Sequence, residues 1–100
     1  MPTRYFRASQ GYASTQTTRH LAIGTAVAVQ IVLGSGNSAL TVFNQGTGNI
    51  VWGDSGIAVN SGNYLFVTGR VEWSDLQDGW SVYLRADSVS SIVTVTESNQ

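Results

Sequence analysis

The sequence predicts an all-β protein, a small antiparallel β-sandwich of jelly-roll or Greek-key type, with a small β-barrel as the alternative way to close the sheet. Three observations carry the prediction. Apolar residues alternate with polar ones in short runs, the runs are separated by clusters of Gly, Asn, Ser and Asp, and no stretch sustains i, i+3, i+4 apolar spacing beyond about one helical turn. The pattern is clearest over residues 40–67, where a strand-and-turn unit recurs. Its runs are 40–43, 50–52 and 57–59, with 64–67 opening a fourth, and its turns are Asn44-Gln45-Gly46-Thr47-Gly48, Asp54-Ser55-Gly56 and Asn60-Ser61-Gly62-Asn63. Glycine and asparagine suit such turns because tight hairpins need positive φ, where a Cβ is costly.

Taken in order, residues 1–20 are polar and sustain no period, which predicts an extended N-terminal arm ahead of a single domain over 21–100. From Ala26 the alternation begins, with Val27, Val29, Ile31 and Leu33 on one face of a long first strand ended by Gly34-Ser35-Gly36. After the central meander, Val71 and Trp73 flank Glu72, residues 74–79 form the most polar loop of the body, and Trp80, Val82 and Leu84 mark an inner face opposite Ser81, Tyr83 and Arg85. Residues 89–96 give a last strand, Val93 and Val95 on one side and Ile92, Thr94 and Thr96 on the other. An apolar-faced sheet must stack or close, which assigns Val27, Val29, Ile31, Leu40, Val42, Ile50, Trp52, Val59, Phe66, Val82 and Leu84 to the core.

Composition narrows the function classes. Only 11% of the 100 residues are charged, against about a quarter in ordinary globular chains, and the net charge is −1. Lysine is absent; the cations are Arg4, Arg7, Arg19, Arg70 and Arg85. A sparsely charged, hydroxyl-rich surface repels copies of itself weakly and suits a protein packed in an assembly. Nucleic acid is not an expected partner, because the body offers only Arg70 and Arg85. No apolar run follows the charges of the N-terminus, and the most apolar window, 21–33, is too short to span a bilayer, so neither a signal peptide nor a membrane partner is expected. With no cysteine, no disulfide staples the fold.

Motifs for chemistry are sparse, and the expectation is a non-enzymatic chain with no cofactor and no metal. Gly53-Asp54-Ser55-Gly56 spells the sequence around a serine-protease nucleophile, but the single histidine is His20 and no acid precedes Asp54, so a hairpin turn is the better reading. Asp75 and Asp78 lack the dense oxygen ladder of a calcium loop. Two surfaces remain as binding candidates. Arg4, Tyr5, Phe6, Arg7 and Tyr12 give the arm aromatic anchors and guanidinium groups for a partner's surface, so that deleting residues 1–19 is expected to spare the fold and weaken assembly. Trp73 and Trp80, with Asp75 and Asp78 as hydroxyl acceptors, offer a possible sugar platform, which leaves a carbohydrate-binding module as the alternative function.

Over residues 40–67 the chain resembles the small all-β virion proteins of tailed bacteriophages. The likeness is carried by Val42-Phe43-Asn44-Gln45-Gly46-Thr47, Val51-Trp52-Gly53-Asp54-Ser55 and Ser61-Gly62-Asn63-Tyr64-Leu65-Phe66, and extends loosely to Ser91-Ile92-Val93-Thr94-Val95-Thr96. The resemblance implies a structural component of the virion, a capsid decoration or cement subunit or a head or tail accessory protein. Such a subunit is made in the host cytoplasm, acts as a homo-oligomer and binds the major capsid or other virion proteins.

Overall fold

The computed structural model describes residues 16–54 and 62–99. They form eight strands and no helix: β1 (Gln16–Ile23), β2 (Val29–Val32), β3 (Ala39–Asn44), β4 (Ile50–Gly53), β5 (Asn63–Leu65), β6 (Arg70–Trp73), β7 (Ser81–Ala86) and β8 (Ser91–Ser98). One sheet runs β1-β8-β3-β6 and the other β2-β7-β4-β5, with every pairing antiparallel. Among the described strands, consecutive members change sheet at every step except β4 to β5. That order is an eight-stranded jelly roll; the two sheets stay open and no barrel closes.

The alternation read from the sequence explains the core. Ile23, Leu40, Val42, Val93 and Val95 project from the first sheet, and Ile31, Val82, Leu84, Ala86, Ile50 and Leu65 from the second, all nearly or fully buried in one cluster. Trp52, Trp73 and Trp80 pack against it partly buried. Two expected core residues are not there: Val27 is 73% exposed and Phe66 61% exposed. Each lies just outside a strand, Val27 ahead of β2 and Phe66 after β5, where the backbone has left the pleat and side-chain period no longer assigns a face. Val59 and the expected strand 57–59 lie outside the described residues.

The arm boundary also shifts. Gln16 to His20, expected in the arm, belong to β1, which pairs with β8 along its whole length, from Gln16 opposite Ser98 to Ile23 opposite Ser91. The alternation was present but written in polar residues. Thr17, Arg19, Leu21 and Ile23 share a face, while Thr18 and His20 meet Thr96 and Thr94 on the other through Thr18 Oγ1 to Thr96 Oγ1 at 3.4 Å and His20 Nδ1 to Thr94 Oγ1 at 3.1 Å.

Four connections, 24–28, 45–49, 66–69 and 87–90, gather at one end. Backbone bonds knit them: the Thr68 amide donates to the Asn44 carbonyl (2.8 Å), the Asp87 amide to Asn49 (2.9 Å) and the Ala86 amide to Gly24 (2.9 Å). Asn44, fully buried, holds the centre. Its Nδ2 donates to the carbonyls of Gly48 (2.8 Å) and Leu65 (3.0 Å), while its Oδ1 accepts from Ser91 Oγ (2.7 Å) and from the Gly46 amide (3.3 Å). All four bonds an amide side chain readily makes are used, so the buried polar group carries little penalty. Gly48 is required here by space, since a Cβ would collide with the Val89 carbonyl; its φ is not positive, unlike that of Gly36, Gly62 or Gly79.

Candidate binding cleft

The opposite end holds the connections 33–38 and 74–80 and the ends of β4 and β8. At this end β7 runs on to Ser81, while its neighbour β4 stops at Gly53 opposite Tyr83. Around the end of this pairing lies a cleft of about 560 Å³ whose lining includes Trp52, Trp73, Trp80, Tyr83, Asp54 and Asn63. The volume falls within the range of small-molecule sites, roughly 300–1,000 Å³.

Each aromatic wall has a structural cause. Trp52 is the last inward position of β4, opposite Asn63 of β5, and Trp73 ends β6 opposite Leu40 of β3. Trp80 is fixed by its backbone, its carbonyl accepting from the Leu33 amide (2.8 Å) and its amide donating to Gln77 (3.1 Å), while the Leu76 amide donates to Ser38 (2.9 Å) and pins the same loop to the first sheet. The three indoles form one packed cluster: Trp73 meets Trp52 edge-on at 5.1 Å and 89°, and Trp80 at 5.0 Å and 51°.

The sequence-derived platform is thus half retained. Trp73 and Trp80 do come together, but Asp75 and Asp78 do not line the cleft. Both sit exposed in the 74–80 loop; Asp75 turns the chain at φ 57, and Asp78 Oδ1 accepts from the Gly36 amide at 3.5 Å. The polar groups present are Asp54 and Asn63, read from sequence as turn residues, and the third indole is Trp52, read as core. Among the described residues neither Asp54 nor Asn63 makes a side-chain hydrogen bond or ion pair, leaving both groups open to the cleft. Ser55 and Gly56 of the protease-like motif, and the arm candidates Arg4, Tyr5, Phe6, Arg7 and Tyr12, lie outside the described residues.

Beneath this end the core row of β8 finishes on a carboxylate. Glu97, 3% exposed, follows Val93 and Val95 on the buried face. Its Oε2 accepts from Arg19 Nη1 at 2.5 Å, and its Oε1 from the Gly34 amide at 2.6 Å and from Asn37 Nδ2 at 3.2 Å. Burial by itself would raise this carboxyl, but the Gly34 amide, the Arg19 guanidinium and the Asn37 amide outweigh it and hold it below the ordinary glutamate range. One side chain thereby ties β1, the 33–38 connection and β8 together. Among the described residues no group of three or more His, Cys, Asp or Glu is placed to hold a metal ion. No protein-family model, curated protein or solved structure matches this chain.

Proposed function

We propose that the chain is a non-enzymatic structural subunit of a bacteriophage virion, a capsid decoration or cement protein or a head or tail accessory subunit. In this reading it is made in the host cytoplasm, joins the particle, and binds the major capsid or other virion proteins together with further copies of itself. The observation that carries the proposal is the knitted loop end. Its four connections hold one charged residue, Asp87, and expose Val27, Phe66, Val67 and Val89 on a backbone fixed by hydrogen bonds. Apolar tips on a rigid frame cost little entropy to bury against a neighbour, and clustered exposed apolar groups mark protein contacts.

Further support comes from the charges. Arg19 is spent on Glu97, Arg70 on Glu72 at 3.2 Å, and Arg85 Nε on the Thr25 carbonyl at 2.8 Å, so the described residues present no basic face for nucleic acid. The jelly roll is an architecture that capsid proteins use, an analogy of fold alone. The arm, with Arg4, Tyr5, Phe6, Arg7 and Tyr12, enters the same proposal as a second contact with a neighbouring subunit. Mass spectrometry of purified particles tests it: the chain is expected at a stoichiometry matching a capsid or tail symmetry, and its absence from the particles contradicts the proposal.

A further inference from the structure

We propose that the cleft lined by Trp52, Trp73 and Trp80 binds a neutral saccharide, the apolar C–H face of a sugar ring lying on one indole face and its hydroxyl groups bonding to Asp54 and Asn63. The inference stands on the cleft alone and is independent of any role in a particle.

Three features choose the ligand class. The described lining combines aromatic side chains with a carboxylate and an amide that make no side-chain hydrogen bond among the described residues, a pairing that matches a molecule with one apolar face and a fringe of hydroxyl donors and acceptors. Among the described residues of the lining Asp54 is the one formally charged side chain, so a phosphate, sulfate or carboxylate on the ligand is repelled and a neutral sugar is preferred. Trp73 packs edge-on against Trp52 at 5.1 Å and tilted against Trp80 at 5.0 Å, which leaves no room for a cation between either pair of rings. An aromatic cage for a quaternary ammonium needs rings standing apart around the cation.

The three indoles are all the tryptophans of the chain, so intrinsic fluorescence reports on the site without a label. The full-length protein is titrated with a panel of neutral oligosaccharides of glucose, galactose, mannose and N-acetylglucosamine, and hits are confirmed by calorimetry. At least one is expected to shift the emission saturably. Asp54→Ala and Asn63→Ala should each weaken it by about tenfold, the scale of one lost hydrogen bond to a charged or polar group. Both positions are exposed strand-end residues, so unchanged thermal midpoints are expected and loss of binding is not confused with loss of fold. No response to any saccharide in the panel, binding indifferent to both substitutions, or saturable binding of choline or a proline-rich peptide in place of every sugar would each overturn the assignment.

Discussion

The two ends of this sandwich are built from the same strands and held by opposite chemistry. At the loop end a neutral amide, Asn44, is buried among backbone carbonyls and amides, and the exposed tips are apolar. At the cleft end a charged carboxylate, Glu97, is buried against a guanidinium, and the surface carries indoles with polar groups between them. The difference teaches where each end can respond to its surroundings. The Asn44 network at the loop end contains no titrating group, whereas the cleft end rests on a carboxylate whose ionised form the fold selects.

Breaking the loop end should have the largest effect on stability. Asn44→Leu leaves the Gly48 and Leu65 carbonyls, the Gly46 amide and Ser91 Oγ without their partner in a dry interior, at about 1–3 kcal/mol for each group that water cannot reach. A loss of about 4 kcal/mol or total failure to fold is expected in urea unfolding, and a loss under about 1 kcal/mol would show that the network is wet.

Glu97→Gln should cost less, about 2 kcal/mol at neutral pH, because one charge-assisted contact weakens while the Gly34 and Asn37 amides keep an oxygen to bond. The pH dependence gives the sharper contrast. The folded pKa of Glu97 is depressed, so its stabilisation is fully present above the unfolded glutamate pKa of about 4.3 and is lost as pH falls through the lower folded value. Wild type should therefore lose more stability than Glu97→Gln across that acidic window, whereas Asn44→Ser, a milder change at the other end, should shift the curve without altering its shape. Parallel curves for wild type and Glu97→Gln would remove the carboxylate from the account.

Truncation separates arm from sheet. Removing residues 1–19 takes away half of β1 and the Arg19 partner of Glu97, so it should lower the thermal midpoint more than removing 1–15, which leaves β1 whole. Equal midpoints would show that the first half of β1 adds nothing.

Much of this was legible in the sequence because period two survives wherever a strand has one apolar face. The inner rows of β3, β7 and β8 could be read directly, and so could the turn clusters between them. What was hidden shared a cause: the deciding partner lies far along the chain. β1 looked like an arm because its inner row begins Thr17, Arg19, and only β8, more than 70 positions away, makes those residues sheet. Glu97 continued the row of Val93 and Val95, and a carboxylate in a buried row signals a buried partner, yet the sequence names no donor. Cleft residues Asn63 and Tyr83 come from strands whose register with β4 brings them beside Asp54, one residue past its end, so Asp75 and Asp78, nearer to Trp73 in sequence, looked like better neighbours. Trp52 followed by Asp54 at a strand end was the one local hint.

Substitutions at the loop tips should have the smallest effect on stability and the largest on assembly. Phe66→Ser with Val89→Asp changes exposed side chains and removes one exposed ring stack, that of Phe66 on Tyr64 at 5.6 Å, so the unfolding free energy should fall by no more than about 1.5 kcal/mol. The most direct test of the division between the two ends is sedimentation of that double variant beside wild type and Asp54→Ala, free and with purified particles. The account predicts that wild type and Asp54→Ala associate and co-sediment alike while the loop-tip variant remains monomeric and unbound. A loop-tip variant that assembles like wild type, or an Asp54→Ala protein that fails to, would contradict it.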